Sequence, residues 1–193
     1  RARDDGENEE SLPSPATKTR KVEEDDNHPQ LHEFPVRCPP GGSDAVILYT
    51  TSLRGIRKTF DDCQKVRSLL ENMRVLFVER DLSMHSEFKQ ELLRTLEKKV
   101  LPPKLFIKGR YIGGADEVVG LHERGHFRPL IQGVPVVANE IPCEGCAGIR
   151  FIICFNCHGS RKIPVQCGGG SAGERETCPH CNENGILICP NCC

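Results

Sequence analysis

Hydrophobic positions between residues 43 and 131 change their period several times, and each change predicts an element. Ala45-Val46-Ile47-Leu48-Tyr49 is an unbroken apolar run, the pattern of a strand covered on both faces. Phe60, Cys63, Val66, Leu70 and Met73 then recur at helical spacing and share one face. Arg74 to Asp81 reads as a second strand, with Val75 and Phe77 on the same side. Ser86 stands as a cap before a second helix, whose apolar stripe is Phe88, Leu92 and Leu96. Leu105-Phe106-Ile107, the turn Lys108-Gly109 and Arg110-Tyr111-Ile112 predict a hairpin. Asp116 to Arg124 predicts a short helix with acid in its first turn and Gly125 as its C-cap. The order β-α-β-α-β-β-α implies an α/β fold, a mixed sheet with helices on both faces.

What flanks this region differs in composition. The chain has 193 residues and a net charge of −1, which excludes a wholesale basic coat for nucleic acid. Residues 1–42 hold ten acidic and six basic residues with few large apolar ones, and are expected to form a disordered acidic tail. Within it Phe34 is a candidate docking anchor, against the plainer reading of a solvated leader. Residues 43–138 form the α/β domain. Residues 139–193 are rich in Gly and Cys, with too little apolar mass for a core, and need a staple. No apolar run approaches the roughly 18–20 residues of a bilayer span, so no membrane insertion is expected. No charged-then-apolar leader is visible, so the expected compartment is the cytoplasm, with the nucleus as a second. The chain starts at Arg1, and sequence upstream of it is expected.

The twelve cysteines sharpen this picture, because ten of them lie from Cys143 onward. Eight form four C-x-x-C units: Cys143/Cys146, Cys154/Cys157, Cys178/Cys181 and Cys189/Cys192. Seven, twenty and seven residues separate successive units, so the second half repeats the first at an offset of 35. Two thiolates three residues apart can turn around one metal ion, and two units complete a Cys₄ shell, so eight cysteines suit two zinc ions. An iron–sulfur cluster or a disulfide framework would use the same residue type; the regular pairing and the absent leader favour zinc. Spacing leaves the pairing open: each repeat could hold its own ion, or the outer units could share one and the inner units the other. Cys167, Cys193 and Cys38 have no assigned role, and His158 and His180 read as solvated neighbours of ligands. With four basic residues against five acidic, the tail gives nucleic acid little to hold.

The spacing and the glycines in Cys146-Ala-Gly148 and Cys157-His-Gly159 resemble the cysteine-rich zinc domain of DnaJ-type chaperones. That resemblance implies crossed pairing, first unit with fourth and second with third. Asn182-Glu183-Asn184-Gly185 departs from its glycine pattern. The central region resembles glutaredoxins, through Val46-Ile-Leu-Tyr49-Thr, Cys63-Gln-Lys-Val66-Arg-Ser-Leu69-Leu70, Leu101-Pro102-Pro103-Lys-Leu-Phe-Ile107 and Tyr111-Ile-Gly113-Gly114-Ala-Asp116. With the four C-x-x-C units behind it, the chain is similar to the glutaredoxin domain-containing cysteine-rich proteins and their plant relatives. The resemblance implies a thioredoxin-like fold and a glutathione site. Pro103 falls on the family's cis-proline, and Pro102 would offer its backbone to glutathione through a carbonyl alone, having no N–H. Gly113 and Gly114 would let the chain pass close to a ligand. Ala115 and Asp116 would hold the γ-glutamyl end, through helix-start N–H groups and the Asp116 carboxylate.

The family's nucleophile is a cysteine at the start of the first helix, in C-x-x-C or C-x-x-S. Counted back from Val66 and Leu70, Cys63 takes the second cysteine position and Phe60 the first. The connection Thr50 to Thr59 is longer than the family pattern, and Arg54, Arg57 and Lys58 make it basic. These residues predict a module that binds glutathione or a protein partner without the usual nucleophile. One alternative is a glutathione-dependent monothiol oxidoreductase using Cys63 as its catalytic residue. Another is a chaperone-like protein binder acting through the zinc tail.

Overall fold

The computed structural model describes residues 29–137, 142–164 and 175–192. Its central strand, β1 (Val46–Thr50), sets the layering. All five residues are buried, as the unbroken apolar run predicts. Val46 and Leu48 point to one face and Ile47 and Tyr49 to the other, because side chains alternate along a strand. On the first face they meet Val66 and Leu70 of α1 (Arg57–Asn72) and Val118 of α3 (Ala115–Glu123). On the second they meet Leu92 and Leu96 of α2 (Ser86–Leu96). Each buried leucine or valine contributes on the order of 1.5–3 kcal/mol.

With β2 (Phe77–Asp81), β3 (Lys104–Ile107) and β4 (Arg110–Gly113), β1 forms a sheet of order β2-β1-β3-β4. β1 and β2 run parallel, and the other pairs antiparallel. A mixed four-stranded sheet with helices on both faces is the thioredoxin-like arrangement. A last helical turn, α4 (Phe127–Leu130), buries Phe127 in the α1/α3 layer. Tyr49 is buried, and burial first, then Glu91, pushes its hydroxyl up; the hydroxyl donates to Glu91, which Arg80 also pairs.

Three expectations are corrected. The leader was expected to be disordered through residue 42, yet residues 29–42 are built into the fold. Leu31 and Phe34 pack on the α1/α3 core, so Phe34 anchors the chain to its own domain. Tyr111 N–H donates to Pro35 at 3.0 Å, Arg37 N–H donates to Gly109 at 3.1 Å, and this segment covers the β4 edge. Residues 1–28 lie outside the described residues. Second, Ser86 is the first residue of α2 and not its cap; His85 caps, its Nδ1 accepting from Glu87 N–H at 3.3 Å. Third, α1 begins at Arg57, so Phe60 is the fourth residue of the helix, closing its first turn, and not at its start.

The tail folds as two small ribbons. β5 (Phe151–Ile153) pairs with β8 (Ile186–Ile188), and β6 (Lys162–Pro164) pairs with β7 (Arg175–Thr177), both antiparallel. Leu187 and Ile163 pack on the inner cysteines, the nearest thing to a core that this segment has. Among the described residues no helix is long and apolar enough to cross a membrane.

Candidate functional site

The eight tail cysteines converge in two groups of four. Cys143, Cys146, Cys189 and Cys192 form one, and Cys154, Cys157, Cys178 and Cys181 the other. The pairing is therefore crossed, first unit with fourth and second with third. Within each group all four sulfurs lie within 4.8 Å of one another, close enough to share one metal ion. Cys146 Sγ is 3.4 Å from Cys192 Sγ, and Cys157 Sγ is 3.6 Å from Cys181 Sγ. His158 and His180 belong to neither group. Cys167 and Cys193 lie outside the described residues.

Local backbone geometry prepares these sulfurs to carry charge. Arg150 N–H donates to Cys146 Sγ at 3.2 Å, and Arg161 N–H donates to Cys157 Sγ at 3.3 Å. Both arginines hold positive φ, 68° and 62°, in the turns that close behind Cys146 and Cys157. Burial opposes ionisation, but for Cys146 the Arg150 N–H and then Cys192 outweigh it and bring the thiol down to about 7. The same balance, with Arg161 N–H and Cys181, brings Cys157 to about 7. Asn156 adds a side-chain N–H to Cys178 Sγ at 3.4 Å.

Two contacts dock this tail on the α/β domain, and neither was read from the sequence. The Arg150 guanidinium donates to the Phe77 carbonyl at 3.1 Å, lies 5.2 Å over the Phe77 ring and sits 3.8 Å from Glu79, so it covers the exposed edge of β2. Glu183 accepts from Ser86 N–H at 2.7 Å and from Ser86 Oγ at 3.0 Å, at the first turn of α2. A carboxylate at a helix start satisfies orphan N–H groups and the helix dipole together. Burial works against its charge, yet its own backbone N–H, then the two hydrogen bonds from Ser86, with His85 nearby, hold Glu183 below the usual carboxylate value. Asn182 and Asn184 add bonds to the Met84 carbonyl at 2.7 and 3.0 Å. The only signal in the sequence was that Asn-Glu-Asn stands where glycines were expected.

In the α/β domain, the first turn of α1 holds Arg57, Lys58, Thr59 and Phe60 and no cysteine. Cys63 follows on the buried face, 1% exposed. Burial raises its thiol from 9.0 to about 11; a backbone contact from Thr51 pulls the other way, and Asp81, Asp62 and Glu79 add to the rise. The basic residues before it are largely engaged: Arg54 lies 5.2 Å over the Phe60 ring, Arg57 is 3.7 Å from Asp61, and Lys58 is 2.5 Å from Asp62.

The six positions set out for glutathione are placed as follows. The Pro102–Pro103 bond is cis. Gly114 lies beside it: a Cβ there would be 3.4 Å from the Pro103 carbonyl oxygen and 2.8 Å from Lys104 Nζ. Desolvation holds the Lys104 ammonium below its ordinary value, with Glu117 opposing. Gly113 has φ +138°, and a Cβ there would lie 2.6 Å from Glu117 Cβ, so packing inside the domain already requires glycine. Gly114 N–H is given to Glu117 at 2.8 Å. The N–H groups of Ala115 and Asp116, in the first turn of α3, face no helical carbonyl. Ala115 and Asp116 border a cavity of about 230 Å³ between α1 and α3.

Sheet order, helices on both faces and paired clusters together define a thioredoxin-fold domain carrying a tetracysteine tail. Comparison with known proteins gives that class a family. The family model described as glutaredoxin matches residues 46–112, and the one described as GRXCR1/2, C-terminal domain, matches residues 143–193. Uncharacterized protein At5g39865 of Arabidopsis thaliana is 40% identical over 167 residues, 79% of this chain and 43% of that protein. Glutaredoxin domain-containing cysteine-rich protein 1 of Mus musculus is 34% identical over 152 residues, 77% of this chain and 52% of that protein. Among solved structures, reduced glutaredoxin C1 from Populus tremula x tremuloides has a TM-score of 0.39 at 26% identity, over 47% of this chain and 74% of that one. The chain belongs to the glutaredoxin domain-containing cysteine-rich proteins, and spans about half the length of the curated relatives it matches.

Proposed function

We propose that this chain is a non-catalytic glutaredoxin-like module that binds glutathione or a protein partner, braced by a tail that holds two zinc ions. The observation that carries this reading is the thiol inventory of α1. Its first turn has no cysteine, and Cys63, the next candidate, is 1% exposed with a thiol at about 11. A glutaredoxin nucleophile needs the opposite, an accessible thiol depressed toward or below neutrality. Cys63 here is a small core residue.

Glutathione binding is supported by the free first-turn N–H groups beside Asp116, which suit an α-amino acid end. Zinc is supported by geometry: a tetrahedral shell with Zn–S near 2.3 Å puts sulfurs about 3.8 Å apart, and Cys143–Cys189 and Cys154–Cys178 are separated by 3.8 and 3.9 Å. When bound, the ions would supply structural cross-links, since each four-cysteine shell is closed and leaves no open position for chemistry.

The test measures reduction of a glutathione mixed disulfide by the metal-loaded chain and its Cys63→Ser variant, with metal and thiol content on the same samples. The expected result is no turnover in either protein, two zinc ions per chain, and eight thiols shielded until a chelator is added. Turnover that disappears in Cys63→Ser overturns the non-catalytic reading, and fewer shielded thiols overturn the zinc assignment. Binding is read separately, by calorimetric titration of glutathione into wild type and Asp116→Asn. Binding weakened at least fivefold by the substitution is expected, and equal binding removes Asp116 from the site.

A further inference from the structure

A groove of about 550 Å³ runs between the β1–α1 connection, α2 and the segment that leads into Pro102. That volume is within the range of ligand sites, about 300–1,000 Å³. It shares only Pro102 with the positions set out for glutathione, and lies on the α2 side of the sheet. Leu82 and Leu92 form its buried floor. Leu53 and Ile56, Leu93 and Leu101 form its walls, each 49–65% exposed. Single exposed apolar residues are ordinary on a protein surface. Four of them, brought by three separate chain segments to one groove, mark a surface built to be covered.

The charges on the same groove have one sign. Lys89, Lys98 and Lys99 line it, no Asp or Glu does, and none of the three lysines has an ion-pair partner among the described residues. Lys58 and Lys65, by contrast, both pair with Asp62. The groove therefore offers an apolar floor and a cationic rim to something apolar and acidic.

The shape of that occupant follows from the backbone at the rim. Pro102, on the groove's rim, has no N–H, so an extended chain laid along it would lose the donor that strand pairing needs there. Recognition then falls to side chains, and apolar walls on three sides suit residues repeating at i, i+3, i+4 and i+7. We propose that the groove receives an amphipathic helix of a partner protein, whose apolar stripe is flanked by acidic residues. This rests on reading the domain as a binding module and names the partner's chemistry. The lysines steer the encounter and exclude basic helices, and the leucines supply the buried contact.

The probe is a set of short fluorescein-labelled helical peptides with leucines at i, i+3, i+4 and i+7 in staggered registers and glutamates on the flanks. Lysine-flanked and scrambled counterparts serve as controls, and anisotropy is read with the full metal-loaded chain. The expected result is saturable binding of glutamate-flanked peptides at least tenfold tighter than of either control. Lys98→Glu with Lys99→Glu should weaken binding about tenfold and flatten its salt dependence, and Leu93→Asp should abolish it. Both changes are at exposed positions, and circular dichroism checks that the fold survives. The proposal is overturned if no peptide of the set binds, if lysine-flanked peptides bind as well, or if Leu93→Asp changes nothing. Saturable binding of dodecanoate in place of the peptides would assign the groove to an acyl chain and also overturn the helix. Glutathione titration of the same variants separates the two readings: Asp116→Asn reports on glutathione and Leu93→Asp on the groove, so either can fail alone.

Discussion

Cys63 decides between a binding module and an enzyme, and its reactivity can be predicted from its surroundings. Its thiol is raised from 9.0 to about 11, chiefly by burial. At pH 7 that alone leaves about 100-fold less thiolate than an unperturbed cysteine would have. The residue is also 1% exposed, so a reagent reaches it only when the helix opens. The assay is pulsed alkylation of the metal-loaded chain with iodoacetamide at pH 7, read by peptide mass spectrometry, with exposed Cys38 as the internal standard. Cys63 should label at least 100-fold more slowly than Cys38. Labelling of the two at comparable rates, or a Cys63 rate midpoint below pH 8, would refute the reasoning. The same shift has a sign in stability. The folded value lies above the unfolded one, so the contribution is intact below pH 9 and is lost as pH rises from about 9 toward 11. The loss reaches at most about 3 kcal/mol. Cys63→Ala should cost about 1 kcal/mol in lost packing at pH 7 and abolish this alkaline loss, measured as the difference in urea midpoints between pH 8 and pH 10.5.

Two substitutions test the tail. Glu183→Ala removes both hydrogen bonds to Ser86 and should cost about 1–2 kcal/mol; amide exchange in the first turn of α2 should speed while metal content stays the same, and unchanged exchange there would show the contact to be incidental. Gly185→Ala places a Cβ 2.5 Å from the Gly159 carbonyl oxygen at φ +76°, inside the knuckle that follows Cys157; chelator challenge should then release one metal ion at least tenfold faster and leave the other unchanged, and identical release of both would sink the steric argument.

The elements whose burial is set by local period were legible. β1 lies where its unbroken apolar run places it, because both its faces are covered, and α1, the β3–β4 hairpin and the α2 stripe lie where alternation or helical spacing places them. That the eight C-x-x-C cysteines act as one set was legible too, since C-x-x-C spacing is a local property, but the crossed grouping in which they converge was implied only by resemblance. An internal repeat is consistent with either pairing; what distinguishes them is β5 pairing with β8 across the repeat boundary, a long-range contact. The start of α1 was misplaced because Ile56 makes no side-chain cap, so nothing in the local sequence announces the helix. Residues 29–42 were misjudged from composition: two apolar side chains, Leu31 and Phe34, suffice to order a segment when a sheet edge offers backbone partners. The groove was invisible because Leu53, Leu93 and Leu101 read singly as ordinary surface residues.

The two docking contacts share a logic with the clusters. Arg150 follows Cys146 in the first seven-residue spacer, and Glu183 follows Cys181 in the second. Arg150 donates its N–H to Cys146 Sγ, accepts from Cys189 N–H at 2.8 Å through its carbonyl, and sends its side chain to Phe77. The turn carrying Glu183 is held from the inner side: Cys154 N–H donates to Gly185 at 3.0 Å, and Arg161 donates to the Glu183 carbonyl at 3.0 Å. Each docking residue is thus fixed by backbone that a cysteine cluster organises, and the outer cluster answers to the β2 edge as the inner one answers to α2. α2 is the element common to both halves of the molecule. Its first turn is gripped by Glu183, and farther along Lys89, Leu92 and Leu93 line the groove. Disrupting the inner cluster should therefore remove the support of the Glu183 turn, free the start of α2 and loosen one wall of the groove, so the tail would act on the neighbouring domain through the position of α2.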